Sequence, residues 1–464
     1  MITAKDLEYR SVQLPELGFP TEKPVVPKEI FQARLEKLRQ TMAGRGLDAV
    51  VIYADREHYG SFKFYTGVDP RFEEALLFVY REGDVFCALG NECLNLAETA
   101  RIPITGILCQ CLSLPNQPMN HFVSVEHTAK QCGVKHGMKI GLVDWKLMHE
   151  KYGKDFRAIS GMPEYLVAGL AAAAGDRERL VNVTDMLIAA PDGLRCCIGA
   201  EAAAEFEFGA ASASESVLRM LEHVQPGMSE REIASVVQTW GQPVSCHPYV
   251  VGGVNTRRGL ISPSDHKVEL GDELVVSVGL EGGLTCRHVA LARDSGAVKG
   301  GEHFMENIVK PYIAACFNWL EMIGVGVSCG DIYTMIQTQL PKEKYGWSLN
   351  PGHMIGYEEW MCAPIYEGSE ALIQSGMMFQ LDIIPTDPEY CTPNVEDGLL
   401  IADESLRAQL QELYPQVYQR MMARRTFAEE QLGLKLKPEV LPLSNCFGCY
   451  NPYALQKGMA IAVR

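Results

Sequence analysis

The sequence lacks a long run of apolar residues, since no segment approaches the roughly 20 that a membrane-spanning helix needs. Residues 1–20 mix charged and polar side chains and contain no apolar stretch of the kind that a secretion signal has. Positive charge is also scarce: 42 Lys and Arg stand against 58 Asp and Glu, a net charge of −16 with His neutral. This balance opposes binding to phosphate backbones and anionic membranes. We therefore expect a cytoplasmic protein that contacts neither nucleic acid nor membrane.

Motifs for common cofactors are missing as well. The sequence contains neither a Gly-x-Gly-x-x-Gly loop nor a P-loop, so nothing indicates nucleotide binding. Its 15 cysteines are scattered, and in a reducing compartment they are expected to be free thiols. Cys446 and Cys449 form a Cys-x-x-Cys pair, but no second pair accompanies them as a zinc site requires.

The order of periodic segments predicts two domains behind a short arm. Residues 1–27 are interrupted by prolines and are interpreted as an arm on the surface. Short apolar runs alternate with helical patterns over residues 28–185, which predicts a small α/β domain. Residues 186–464 begin with a long alanine-rich helix, predicted over 199–223, and continue with strands separated by Gly-containing turns. This second domain is predicted to be of the α+β class.

Four signals in the second domain occur in a characteristic order. They are Pro226-Gly-Met-Ser-Glu230, Gly271-Asp272 followed by Gly283, Gly352-His-Met-Ile-Gly356, and Gly376-Met-Met-Phe-Gln-Leu-Asp382 followed by Asn394-Val-Glu-Asp-Gly-Leu-Leu400. The ordered set resembles the creatinase/prolidase superfamily of peptidases and related hydrolases. The first domain resembles that family's N-terminal domain through Arg34-Leu-x-x-Leu-Arg and Phe64-Tyr-Thr-Gly67. The resemblance implies a pita-bread α+β domain preceded by a smaller α/β domain of the creatinase type. It also implies a homodimer in which the N-terminal domain borders the partner's active site.

The metallopeptidases of this family hold two divalent ions with two Asp, one His and two Glu. By this resemblance the corresponding residues are Ser277, Arg287, His353, Asp382 and Glu396. Two aspartates are therefore missing, and Arg287 stands where a dication would need a carboxylate. Because an arginine has no acceptor atom and stays charged, it repels a metal ion. The sequence predicts no metal and no other cofactor.

The same positions provide candidate catalytic and substrate-binding residues. His353 lies in a Gly-bounded turn and suits proton transfer, while Asp382 and Glu396 are expected to orient water or a substrate nitrogen. Arg287 is interpreted as a metal surrogate that pairs with these two carboxylates, or alternatively as a side chain that points to solvent. Ser277 and Arg287 are the candidate substrate-binding residues. Arg71 is a candidate contact to the substrate across the dimer.

Three functions remain open at this point. The first is a metal-independent hydrolase that cleaves a C–N bond of a small substrate, as creatinase does within the superfamily. Arg257, Arg258 and Arg287 suggest that this substrate bears a carboxylate. The second is a non-catalytic binding or scaffold protein with the pita-bread fold. The third is a metallopeptidase, of the Xaa-Pro aminopeptidase or dipeptidase type, with a reduced site of His353, Asp382 and Glu396.

Overall fold

The computed structural model describes all 464 residues, and the chain divides into two compact units. The N-terminal unit comprises Val26–Cys196, and the C-terminal unit comprises Met1–Val25 together with Cys197–Arg464. The predicted arm is not free of regular structure, because its strand β1 (Leu7–Ser11) belongs to the C-terminal unit. No helix is both long and apolar enough to cross a bilayer.

The N-terminal unit is a mixed sheet with helices. Its strands are β2 (Ala49–Ala54), β3 (Ala75–Tyr80), β4 (Phe86–Leu89), β5 (Thr105–Leu108), β6 (Ile140–Val143) and β7 (Leu180–Asn182). Its helices are α1 (Lys28–Gly44), α2 (Gly60–Thr66), α3 (Val125–Gln131), α4 (Glu164–Ala174) and α5 (Asp185–Ile188). The strand order is β5-β4-β3-β2-β6-β7, in which β4–β5, β2–β6 and β6–β7 are parallel pairs.

Helix α1 illustrates how the sequence pattern produces this unit. Its apolar residues recur every three or four positions, which places them on one side of a helix. That side is buried in the structure and consists of Phe31, Leu35, Leu38 and Met42. The α/β class predicted for this part of the chain is confirmed.

The C-terminal unit contains the remaining elements. Its helices are α6 (Ala200–His223), α7 (Glu230–Ala234), α8 (Lys310–Met322), α9 (Cys329–Gln339), α10 (Lys342–Tyr345), α11 (Glu404–Leu413) and α12 (Pro415–Thr426). Its further strands are β8 (Val244–Gly252), β9 (Glu273–Leu280), β10 (Gly283–Ala290), β11 (His353–Met354), β12 (Met378–Leu381), β13 (Asn394–Ile401), β14 (Val440–Pro442) and β15 (Met459–Val463). Strand β1 pairs with β15, and all other strands join one antiparallel sheet in the order β11-β12-β13-β10-β9-β8, with β14 on β13.

Helix α6 packs against the hairpin of β9 and β10, and glycines permit the close approach. Gly282, in the two-residue turn of this hairpin, has a φ of +100°, and a Cβ atom there would lie 2.2 Å from the carbonyl oxygen of Phe206. A Cβ atom on Gly209 of α6 would likewise lie 1.9 Å from the carbonyl oxygen of Glu281. The helix therefore fixes the hairpin whose strands carry two of the candidate site residues.

Candidate functional site

One row of side chains crosses the central sheet of the C-terminal unit. Tyr249 of β8 pairs with Ser277 of β9, Ser277 pairs with Cys286 of β10, and Cys286 pairs with Glu396 of β13. Directly opposed residues on antiparallel strands point to the same face of a sheet. All four side chains are buried. The structure thus brings Ser277 and Glu396 together, as predicted, and adds Tyr249 and Cys286.

Asp382 and His353 complete this row at the end of the sheet that β11 and β12 form. Asp382 follows β12, whose last residue Leu381 pairs with Asp397 of β13, so that Asp382 comes next to Glu396. The Nε2 atom of His353 lies 3.8 Å from Oε1 of Glu396. The three predicted catalytic residues therefore form one buried cluster.

His353 is held by two residues of the segment that follows β11. Its Nε2 atom lies 3.1 Å from Oε1 of Glu359, and its ring stacks on the indole of Trp360 with centroids 4.1 Å apart. The imidazole is fully buried, whereas Trp360 is 40% exposed, so the indole separates the imidazole from solvent. Burial alone would lower the pKa of His353, but the nearby carboxyl groups of Glu359, Glu396 and Asp382 outweigh it and raise this pKa to about 10.

The two carboxyl groups beside His353 hold protons more tightly than usual. Burial, followed by the charge of Asp382, raises the pKa of Glu396 well above its ordinary value. Burial also raises the pKa of Asp382 to about 6, although the neighbouring His353 acts in the opposite direction. Gln380 donates a hydrogen bond of 3.3 Å to Oε1 of Glu396. The pKa of Asp382 lies closer to neutral pH than that of His353.

Four buried side-chain oxygen atoms in this region have no hydrogen-bond partner, among them Oγ of Ser277 and Oε1 of Gln380. The other two are Oδ1 of Asp382 and Oδ1 of Asn394, whose amide nitrogen donates to the carbonyl of Ile383. Buried polar atoms in folded proteins almost always have a partner, so these atoms are expected to face water or a bound molecule.

Arg287 lies on the opposite face of the sheet, which corrects both interpretations offered above. Its guanidinium is buried, and its Nη2 atom is 2.8 Å from Oδ2 of Asp397. It also donates to the carbonyl oxygens of Cys446 and Cys449, at 2.6 and 3.0 Å. Arg287 therefore neither pairs with the carboxylates of Asp382 and Glu396 nor points to solvent. It fastens the C-terminal segment to β10 and β13.

Strand register explains this result. Leu280 pairs with Gly283 across a two-residue turn, and this register sets Ser277 opposite Cys286. Because neighbouring residues of a strand alternate between faces, Arg287 must then point away from Ser277. Two ligands of one ion have to share a face, so Cys286, not Arg287, faces the position that a second aspartate would need. Burial and the charge of Glu396 raise the pKa of the Cys286 thiol well above its ordinary value.

Arg71 lies in the N-terminal unit, where it contacts Asp69 and Tyr59. Its Nη2 atom is 2.8 Å from Oδ2 of Asp69, and its guanidinium carbon is 3.8 Å from the centre of the Tyr59 ring. The side chain is 18% exposed. A role of Arg71 at the active site of a partner subunit stays a prediction.

The residues present do not fit the two-ion centre that the resemblance implies. Ser277 offers a neutral hydroxyl and Cys286 a buried thiol with a raised pKa, where two carboxylates are needed. One ion is a different case, since the ligand atoms of His353, Glu359 and Glu396 all lie within 4.8 Å of one another. Glu359 is a site residue that the sequence pattern does not identify, because a loop residue has no periodicity that shows which way it faces.

Comparison with known proteins agrees with this architecture. Residues 209–404 match the family model of metallopeptidase family M24. The prolidase from Pyrococcus horikoshii OT3 is 16% identical and superposes with a TM-score of 0.62, covering 80% of this chain and 95% of that chain. The dipeptidase PepE from Mycobacterium ulcerans is 18% identical, with a TM-score of 0.61 and coverage of 81% and 94%.

A variant of Escherichia coli aminopeptidase P is 10% identical, with a TM-score of 0.56 and coverage of 85% of this chain and 99% of that chain. A search of curated proteins by sequence finds no match. The shared fold spans both units and confirms the predicted pita-bread domain with its smaller N-terminal companion. The family match over residues 209–404 and this common fold agree with the resemblance to the creatinase/prolidase superfamily that the sequence indicated.

Proposed function

We propose that this protein is a metal-independent hydrolase that cleaves a C–N bond of a small substrate. The observation that carries the proposal is the buried cluster of His353, Asp382 and Glu396 beside Ser277 and Cys286. In this cluster, bound protons, rather than metal ions, compensate the negative charge of the carboxyl groups of Asp382 and Glu396. Catalysis by such a cluster requires two groups with different pKa values, so that one is an acid and the other a base at the same pH.

The protonation states at neutral pH support a division of labour. With a pKa of about 6, Asp382 is largely ionised at pH 7 and can accept a proton from water. With a pKa of about 10, His353 carries its proton at pH 7 and can donate it to a leaving nitrogen. A base and an acid are thus available at the same pH.

The proposed reaction follows from these states. Asp382 takes a proton from a water molecule whose oxygen attacks the substrate carbon. The C–N bond breaks as His353 transfers its proton to the nitrogen, which leaves as an amine. The proton held by Asp382 then returns to His353 by way of Glu396, whose Oε1 atom lies 3.8 Å from Nε2 of His353. Trp360, which covers the imidazole, limits the access of bulk water.

The position of Arg287 changes the expected substrate. A preference for a carboxylate depended on this arginine, which faces the other side of the sheet. The groups around His353 are acidic, namely Glu359, Asp382 and Glu396. We therefore propose a substrate whose nitrogen-bearing end, as an ammonium or a guanidinium, enters this cluster. Xaa-Pro and other dipeptides are included, because several similar structures are those of prolidases and dipeptidases.

The test measures amine release by metal-stripped protein from a panel of dipeptides, amides and guanidino compounds. We expect turnover without added metal, and a kcat at least about 100-fold lower in His353→Gln, as for the loss of a general acid. Glu370→Gln, a change on an exposed residue, is the control and should leave kcat unchanged. Activity that requires added metal in the wild type, and that falls to background in Glu359→Gln even with metal present, would refute the proposal, because it would place the required ion at His353.

A second candidate is a peptidase with a single ion. The observation in its favour is the close arrangement of His353, Glu359 and Glu396. Nε2 of His353 lies 3.1 Å from Oε1 of Glu359 and 3.8 Å from Oε1 of Glu396. Three such ligands with an open position are typical of catalytic zinc. These residues would hold the ion, which would polarise the scissile carbonyl. Metal dependence that disappears in Glu359→Gln would favour this candidate over the first.

We also propose that the protein is a cytoplasmic homodimer. All 15 cysteines are free thiols, as expected in a reducing compartment. Dimerisation rests on the resemblance, and static light scattering of the purified protein tests it. A mass near 51.3 kDa, that of one chain, would contradict a dimer.

A further inference from the structure

Glu273, His288 and Cys391 meet on the same face of the sheet as the catalytic cluster but at another place. Glu273 begins β9 and His288 lies near the end of β10, whereas Cys391 belongs to the loop between β12 and β13. Their ligand atoms all lie within 4.8 Å of one another. Glu273 is four residues from Ser277 along β9, a distance of about 13 Å. This group, here called the β9–β10 cluster, is therefore separate from His353.

The distance between two of its atoms fits coordination of an ion. Nε2 of His288 lies 3.1 Å from Oε2 of Glu273, yet this nitrogen has no hydrogen-bond partner with acceptable angles. Two ligands on a tetrahedral zinc ion, with bonds of 2.0 to 2.1 Å, are separated by about 3.3 Å. The imidazole is also oriented from behind, because Nδ1 of His288 is 3.4 Å from Oγ1 of Thr392. Such a second contact is usual for a metal-binding histidine.

Burial supports the same conclusion. Cys391 is 1% exposed and His288 is 9% exposed, so neither side chain interacts freely with water. Glu273 is partly exposed and turns its other oxygen, Oε1, towards Nζ of Lys299 at 3.8 Å. One carboxylate oxygen is therefore held by a lysine, and the second is directed at His288. Arg257 also contributes positive charge near Glu273, which opposes a cation, so binding of an ion requires the negative charge of both this carboxylate and a Cys391 thiolate.

We propose that Glu273, His288 and Cys391 bind one zinc ion. The combination of sulfur, nitrogen and oxygen ligands favours zinc over calcium or magnesium, which prefer oxygen alone. On binding, the Cys391 thiol releases its proton to solvent and forms the sulfur–zinc bond as a thiolate. Water completes the tetrahedron.

The ion's role is to hold a loop. Cys391 lies in the segment between Asp382 and Asn394, and Glu273 and His288 lie on two strands of the sheet. An ion that joins them fastens this segment to β9 and β10. Because Asp382 begins the segment, the ion stabilises the position of a catalytic residue without contacting the substrate. The inference does not depend on the proposed function, since it concerns other ligands.

The experiment uses the full-length chain, stripped of metal and titrated with Co²⁺, which reports thiolate coordination in its absorption spectrum. We expect a charge-transfer band in the near ultraviolet that saturates at one equivalent and is displaced by Zn²⁺. Cys391→Ser should abolish the band, and His288→Gln should weaken Zn²⁺ binding by at least about 100-fold, more than loss of an outer contact does. Circular dichroism of each metal-free variant verifies that it is folded.

Matched variants distinguish metal binding at the β9–β10 cluster from metal binding at His353. Cys286→Ser changes a buried cysteine of the catalytic row, and Glu359→Gln changes the possible ion site at His353; both should retain the band. A band that persists in Cys391→Ser, or folded wild-type protein that binds neither Co²⁺ nor Zn²⁺ through a thiolate, would overturn the proposal. Glu273→Gln provides a further folded variant, in which weaker Zn²⁺ binding is expected and unchanged binding would contradict the assigned ligand.

Discussion

Replacement of Arg287 by leucine separates a structural role of this residue from the substrate-binding role that the sequence suggested. The guanidinium is 2% exposed, and its partner Asp397 is fully buried. Leucine would leave the carboxylate of Asp397 without its cation, although Gly448 still donates a backbone hydrogen bond to it. It would also remove the donors to the carbonyls of Cys446 and Cys449.

Removal of one partner from a buried ion pair costs about 3–5 kcal/mol, because the other charge stays buried and unpaired. We therefore expect Arg287→Leu to lower the free energy of unfolding of the C-terminal unit by about that amount. Urea titration followed by tryptophan fluorescence measures it, since four of the five tryptophans lie in this unit.

The double variant Arg287→Leu/Asp397→Leu is the control. It removes both charges, and the loss of stability should be smaller than in the single variant, because no isolated charge remains. A change of less than about 1 kcal/mol in Arg287→Leu, within the range of an exposed ion pair, would refute the assignment of a buried structural pair. The same result with a large fall in substrate affinity would restore the substrate-binding interpretation.

Three further predictions concern proton transfer and packing. The rate of hydrolysis should rise as Asp382 ionises near pH 6 and fall as His353 loses its proton near pH 10. A pH–rate profile measures both changes, and a rise near pH 6 that remains in Asp382→Asn would contradict the role of Asp382. Because the pKa of His353 is raised on folding from 6.5 to about 10, its contribution to stability is complete below pH 6.5 and is lost towards pH 10. The thermal midpoint of the wild type should therefore fall over that range, and an equal fall in His353→Gln would contradict this assignment. Gly282→Ala should destabilise the protein far more than Gly83→Ala, although both glycines have a φ near +90°, because only at Gly282 would the Cβ atom meet the backbone of α6. Equal urea midpoints of the two variants would argue against this close packing.

Patterns local in sequence determined much of the fold. The apolar residues of α1 recur at helical spacing, and they are the residues buried on that helix. Ser229 and Glu232 have the spacing of a capping box, and the structure contains both of its hydrogen bonds at the start of α7. In such cases the residues that interact are three or four positions apart, so the sequence alone shows that they meet.

The site was less predictable because it depends on contacts between distant segments. Glu359 lies in a loop, where no periodicity indicates which of two adjacent glutamates faces inward. The β9–β10 cluster joins Glu273, His288 and Cys391. More than 100 residues of the chain lie between Glu273 and Cys391. Neither arrangement follows from the pattern of a single strand or helix.

The position of Arg287 shows how far one residue of register changes the chemistry inferred from a strand. The resemblance places Arg287 at the position of the second aspartate, and this choice predicts a cation in the centre of the site. Pairing Leu280 with Gly283 selects Cys286 as the neighbour of Ser277, and this choice predicts a neutral, buried thiol there. The second arrangement leaves Glu396 without a fixed cation from β10, so its charge must be compensated by a proton, by His353 or by an ion. The number of residues in the β9–β10 turn thus decides whether arginine or cysteine faces the cluster of His353, Asp382 and Glu396.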